Sequence, residues 1–321
     1  MGLLTADARA QQAAPAVRQQ SKGPVGYVNP FIGAIGLMLT ATSPSVQLPY
    51  GMMRIVPITT GGPDSYLARQ IAGFPAGGVV LMPAAGELTT PAASVASDFD
   101  RDFETVTPYY GSNVLDSYDV KVEYTVANRA AFYRIAYPTG SSSHLVLMAG
   151  PGGEIAATGR DTVSGFSGSG GVRTYFYAVF SRPFSTSRSW NTAGAARRGS
   201  SGRGPRVDGV GMALDFAPAP GERIGVRVGM SYISVEQARR NLLADIPRPN
   251  FDQVKTAARA TWNRELGKIA VRGGTEKQRA IFYTALYRSM GRPNDMTEEG
   301  GQYFSGADGK AHPADGAHFY L

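Results

Sequence analysis

The order of patterns along the chain constrains its fold most: short strand-like runs fill the middle, and helix-like runs appear only afterwards. Segments 109–115, 118–127, 131–137, 144–148, 174–180, 210–216 and 223–231 are each brief and rich in Val, Ile, Tyr and Phe. Within 120–126 (Val-Lys-Val-Glu-Tyr-Thr-Val) apolar residues fall on alternate positions, the period of a strand with one wet face. Gly, Pro, Asn and Asp clusters separate these runs at the spacing of an antiparallel β-sandwich. Shorter strands are expected around 47–57 and 79–83, with an extended piece at 27–33. No fixed-period repeat suggests a propeller or solenoid.

Three helices follow, at 234–245, 250–269 and 275–290. Ser234 with Gln237 and Thr275 with Gln278 have capping-box spacing, and Asn250 is an N-cap with Asp252 in the first turn to meet the helix dipole. In the second helix Phe251, Val254, Ala258, Trp262, Leu266 and Ile269 recur at three- and four-residue steps, giving one apolar stripe that the sandwich is expected to receive. Strands followed by helices imply two layers or domains. The expected fold is therefore mainly β, an antiparallel sandwich at 26–233, with a helical linker at 234–273 and the start of a helical domain at 274–321.

Charge matters only once it is located. The formal net charge is +7, but six arginines (182, 188, 197, 198, 203 and 206) fall in one stretch without an acid, and removing them leaves 7 − 6 = +1. That stretch reads as a solvated Gly/Ser/Arg loop rather than an RNA-binding arm, because no aromatic platform accompanies it; no nucleic-acid partner is expected. The absence of cysteine excludes disulfides, thiolate metal sites and a cysteine nucleophile. No apolar run approaches the ~18 residues needed to span a bilayer, so no membrane partner is expected. Residues 1–25 read as a tail without an apolar export core, yet Ala8-Arg9-Ala10 resembles the small-residue region of a secretory cleavage site. A secreted or periplasmic location with a late-placed start is the expectation, and a cytoplasmic one if the sequence is complete as written.

Candidate chemistry is sparse. Asp98, Asp100, Asp102 and Glu104 alternate with Phe99, Arg101 and Phe103, but Phe103 stands where a calcium loop needs glycine and Tyr109 where it needs glutamate. A wet strand face with Phe99 and Phe103 turned inward is expected instead. The Gly-rich run 165–171 lacks the lysine and helix of a phosphate loop and reads as a turn. His144 begins an apolar strand and reads as structural, while His312 and His318 lie late and scattered. The late acids Asp295, Glu298, Glu299, Asp308 and Asp315 read mostly as surface charge in a mobile, Gly-rich stretch.

Several blocks in order resemble the front half of glycoside hydrolase family 92, the exo-acting, calcium-dependent α-mannosidases. Tyr27-Val28-Asn29-Pro30-Phe31-Ile32-Gly33 resembles the family's opening motif, and Leu48-Pro49-Tyr50-Gly51-Met52 its Pro-Phe-Gly-Met block. Ile71-Ala72-Gly73-Phe74, Leu81-Met82-Pro83, Pro108-Tyr109-Tyr110, Ser231-Tyr232-Ile233-Ser234, Trp262-Asn263, Phe282-Tyr283-Thr284-Ala285-Leu286-Tyr287 and Asp308-Gly309-Lys310 continue the series. The chain departs from the family after Phe74 and at residues 41–47, so the sugar-facing loops of the sandwich are expected to differ.

The resemblance implies an N-terminal sandwich, a helical linker and an (α/α)6-type barrel, with inverting hydrolysis by one carboxylic acid and one carboxylate. It implies a glycan substrate, calcium for the full-length family member, and an acid–base pair and calcium ligands in the barrel. No catalytic residue and no metal ligand is therefore assigned within these residues, the rest of the helical domain or a partner is expected to cover the exposed helices, and the fragment itself is expected to bind no cofactor. A substrate rim is assigned to Gly73, Phe74, Asp308, Lys310 and His312. The rival expectation is a non-catalytic carbohydrate-binding or partner-binding sandwich.

Overall fold

The computed structural model describes residues 22–34, 42–60, 68–88, 95–150, 152–168, 172–191 and 210–321. The export-like tail, most of the arginine-rich loop and the end of the Gly-rich run lie outside the described residues.

The first strands are β1 (Val46–Gln47), β2 (Arg54–Ile55), β3 (Ile58–Thr60), β4 (Gln70–Pro75), β5 (Val80–Ala85) and β6 (Ser97–Asp98). Then come β7 (Thr105–Thr107), β8 (Tyr110–Leu115), β9 (Val120–Val126), β10 (Ala130–Ala136), β11 (Ser143–Ala149) and β12 (Glu154–Ala157). The run closes with β13 (Thr162–Ser167), β14 (Thr174–Phe180), β15 (Thr186–Asn191), β16 (Val210–Phe216) and β17 (Arg223–Ser231). One sheet has the order β12-β13-β14-β17-β10-β9-β8-β7; the other runs β15-β16-β11-β5-β4-β3, with β6 on β4. Both are antiparallel throughout. Their inner faces share one apolar core, where Phe74 of β4 meets Tyr124 and Tyr133 of the facing sheet at 5.7 and 6.5 Å between ring centres. The Tyr133 hydroxyl donates to the Pro75 carbonyl at 2.6 Å, so a buried phenol keeps a partner.

Three helices follow: α1 (Val235–Asp245), α2 (Phe251–Leu266) and α3 (Glu276–Ser289). Ser234, Asn250 and Thr275 cap them, each side chain accepting from a backbone N–H three residues on, and Thr275 completes its box with Gln278. Helix α1 sits on β17 so closely that a Cβ at Gly229 would lie 2.2 Å from the Ala238 carbonyl oxygen. The α2 stripe covers the outer face of the eight-stranded sheet, with Phe251 against Phe132 and Tyr110. Farther along, Trp262 is fully buried and its Nε1 donates to the Gln47 and Pro108 carbonyls at 2.8 and 3.1 Å. Tyr283 and Tyr287 of α3 join Trp262, Leu266 and Val25 in a second small core at the seam.

Four sequence expectations are corrected here. The strand expected through 98–104 stops at Asp98, because Asp100 accepts from the Asp102 N–H at 2.9 Å and starts a single 3-10 turn; Phe99 is buried but Phe103 is 66% exposed. The turn expected from Gly165 is strand β13, in which a Cβ at Gly165 would lie 1.9 Å from the Glu154 carbonyl oxygen: the glycine serves close strand approach. Ile269 lies past the Gly267 cap of α2 and is exposed, so the stripe ends at Leu266. Among the late acids, Asp295 and Glu298 are buried rather than surface charge.

Candidate functional site

The site is built from the loop between β1 and β2 and the segment after α3. Tyr50 adopts φ +59°, a left-handed conformation costly for a side chain of its size. It is held there from both sides: its N–H donates to the Met290 carbonyl at 2.8 Å and its carbonyl accepts from the Asp295 N–H at 2.7 Å. The next carbonyl, of Gly51, accepts from Gln47 Nε2 at 2.8 Å and Asn294 Nδ2 at 2.7 Å. Two hydrogen bonds on the strained residue and two on its neighbour hold the turn that carries the Tyr50 ring.

The end of the chain comes back to that ring. After α3 a hairpin forms from β18 (Gln302–Ser305) and β19 (Lys310–Pro313), and residues 318–321 then run beside 294–296. Tyr320 meets Tyr50 edge-on at 6.1 Å, and His318 lies 6.1 Å from Tyr320. His318 Nδ1 pairs with Asp295 Oδ2 at 2.6 Å, while Asp295 Oδ1 accepts from the Thr297 N–H at 3.0 Å. The carboxylate is buried and orients an imidazole that is 65% exposed. Phe319 stacks on Tyr303 of the hairpin at 3.9 Å, and Tyr303 lies 5.8 Å from His312.

The sequence-assigned rim divides between two places. Asp308, Lys310 and His312 lie together on the hairpin, where His312 Nε2 meets Asp308 Oδ2 at 2.8 Å. Slight desolvation pushes the Asp308 carboxyl up, but hydrogen bonds from His312, the Lys310 N–H and Ser305 outweigh it and hold the group below the usual carboxylate range. Gly73 and Phe74 are elsewhere, in β4; Phe74 is fully buried between the sheets and serves packing. His144 is also structural: it sits between Asp215 Oδ1 at 2.6 Å and the Gly86 carbonyl at 2.8 Å. Tyr50, Asn294, His318 and Tyr320 are the residues that sequence reasoning did not assign. The Pro-Tyr-Gly block pointed at the first, but nothing in a sequence reports which side chain its left-handed turn would meet.

The acids near the site are engaged. Glu298 accepts from the Tyr232 N–H at 2.8 Å and Asn241 Nδ2 at 2.9 Å; burial pushes its pKa up, against the pull of Ser231, Tyr232 and Asn241. Glu299 pairs with Arg129 at 3.1 Å. Among the described residues no three carboxylate or imidazole side chains converge as a metal site.

The Tyr50 and Tyr320 rings and the His318–Asp295 pair meet at the seam between the sandwich and the segment after α3. The glycosyl hydrolase family 92 N-terminal domain matches residues 27–231, and the family 92 catalytic domain matches 237–321. The chain belongs to glycosyl hydrolase family 92. It is similar to the solved family 92 inverting mannosidase of Bacteroides thetaiotaomicron, with 25% identity, a TM-score of 0.81, and coverage of 94% of this chain and 44% of that one. A second solved family 92 glycosyl hydrolase has 26% identity and a TM-score of 0.76 over 93% of this chain and 45% of its own. A family 92 α-mannosidase from B. thetaiotaomicron, at 22% identity and a TM-score of 0.78 over 93% of this chain and 45% of that one, shares the fold. An uncharacterized secreted glycosidase of Arthroderma benhamiae is 38% identical over 81 residues, 24% of this chain and 10% of that protein. The chain thus spans less than half the length of the solved relatives it matches.

Proposed function

We propose that this chain forms the sandwich and substrate rim of an exported, exo-acting α-mannosidase that works with inversion. The observation that carries the proposal is the seam itself, where Tyr50, Asn294, Asp295, His318 and Tyr320 converge at the junction of the two matched family domains. Support for mannoside as substrate is the similarity to an inverting mannosidase; support for export is a secreted glycosidase among the relatives. No helix among the described residues is long and apolar enough to cross a membrane.

Inversion needs a protonated carboxylic acid and an ionised carboxylate about 6.5 to 9.5 Å apart, with a water between. Asp295, Glu298 and Asp308 each have both carboxylate oxygens bonded to neighbours, which supports a positioning role for them. We assign the acid–base pair, and any calcium, to residues outside these 321. The test compares the purified chain with a version extended to the length of the family relatives, using an activated α-mannoside with and without calcium. Binding without turnover by the chain, weakened at least tenfold by Tyr320→Ala, and turnover by the longer version are expected. Turnover by the 321-residue chain, abolished by Asp308→Asn, would overturn the placement of the chemistry.

A further inference from the structure

A second place on the sandwich offers an aromatic ring at the surface, and a glycine seats it. Trp190 of β15 stands opposite Gly211 of β16, and a Cβ built at Gly211 would lie 2.2 Å from the indole Cε2, so the ring lies against bare backbone. Tyr124 covers Gly111 in the same manner, at 2.3 Å, but Tyr124 is fully buried between the sheets and serves packing. Trp190 is only partly buried, on the edge strand of the seven-stranded sheet. With one indole face seated on Gly211, what the ring has left to offer a ligand is the other.

The strand period puts Thr186, Arg188 and Trp190 on one side of β15, opposite Asp215, Ala213 and Gly211. Asp215 accepts from Arg188 Nη2 at 2.9 Å and from the Thr186 hydroxyl, and it pairs with His144 at 2.6 Å. The guanidinium is thereby oriented, yet the Arg188 side chain remains 42% exposed. A two-residue step along a strand is about 6.6–6.8 Å, which places ring and guanidinium within reach of one sugar residue. An indole face carries partial negative charge and attracts the C–H bonds on the apolar side of a sugar, while a guanidinium presents several N–H donors in one plane to neighbouring hydroxyl oxygens. The Asp215 carboxylate offsets the Arg188 charge, so the described residues hold no surplus positive charge here that would favour a phosphate backbone over a neutral chain. We propose that Trp190 and Arg188 form a second glycan-binding site, which holds a neutral α-mannan chain by stacking on the indole and by hydrogen bonds to the guanidinium. Mannose as the sugar rests on the proposed function; the site itself shares no residue with the rim around Tyr50 and Tyr320. Such a site tethers a polysaccharide to the sandwich and raises its local concentration.

The test uses the chain's two tryptophans: in a Trp262→Phe variant, emission reports Trp190 alone. Titration with soluble α-mannan is expected to quench that emission saturably, and Arg188→Ala should raise the midpoint at least fivefold. Tyr320→Ala, at the rim, should leave the titration unchanged. Native gels containing α-mannan give a second reading with Trp262 in place: Trp190→Ala should be retarded less than the parent, and Trp190→Phe, which keeps a ring, should fall between them. Thermal melts of each variant confirm that it folds. Emission indifferent to mannan, or Trp190→Ala retarded as strongly as the parent, would overturn the second site and leave the rim untouched. Loss of all α-mannoside binding in Trp190→Ala would uphold the second site and overturn the rim instead. Equal quenching by single-stranded RNA at the same salt concentration would overturn a neutral glycan as the occupant.

Discussion

Glu298 and Trp262 hold the seam by different physics. Trp262 fills a fully enclosed space and ties two backbone carbonyls, so Trp262→Ala should cost about 3–5 kcal/mol, from a cavity and an orphaned Gln47 carbonyl together. Trp262→Phe should cost less, and denaturant midpoints of the two would show the order. Glu298 is a carboxyl made harder to ionise by burial. Its folded state therefore keeps the proton to higher pH than the unfolded chain does, whose value is about 4.3. Stability from this group is fully present below that value and declines as pH rises through the raised one. Asp215 runs the other way: burial raises it, but Thr186, His144 and Arg188 pull it below the usual range, so its contribution is lost as pH falls through the depressed value. Glu298→Gln should flatten the decline on the rising side and leave the acid limb unchanged. Parallel stability–pH curves for the parent and the variant would show that Glu298 does not titrate this way.

At the scale of elements, α1 reads cleanly from sequence because its information is local. Ser234 and Gln237 announce the cap, and the helix begins one residue later, at Val235. Its seat on β17 is not local: Gly229 alternates within an apolar strand like any other residue, and only the contact with Ala238 shows why no side chain fits. Gly229→Ala should push α1 off the sheet and cost about 1–3 kcal/mol, as overpacking does, visible as a lowered melting temperature with β content retained. An unchanged melting temperature would mean that the helix shifts freely. The same division explains the rest. Strands β14, β16 and β17 have the bounds expected from their patterns. Strands β13 and β15 were hidden by Gly, Ser and Thr, residues whose strand role is set by neighbours, and β12 by its length of four residues. The hairpin histidine and acid were visible as candidates. The rim around Tyr50 was not, since it depends on contacts between residues about 240 positions apart, such as the Asn294 bond to Gly51 (|i−j| 243).

At the scale of the molecule, the sandwich and the helices are joined by too many polar ties to behave as independent units. Arg129 bonds Asp245 of α1 at 2.6 Å and Glu299 beyond α3 at 3.1 Å, and Asn241 reaches both the Met230 carbonyl and Glu298. Tyr287 anchors α3 to Ser45, ahead of β1. Each tie loses its partner if either side unfolds, and a buried group left unpaired costs about 1–3 kcal/mol, so partial unfolding would pay several such penalties at once. The prediction is a single cooperative transition over both parts. The chain's two tryptophans make it testable: Trp262 is at the seam and Trp190 is in β15, far along the seven-stranded sheet from β3. In a Trp190→Phe variant, fluorescence reports the seam alone while far-UV circular dichroism reports the whole chain. Coincident midpoints and slopes in urea are expected. A fluorescence transition that precedes the loss of strand signal would show instead that the helices leave a sandwich able to stand without them.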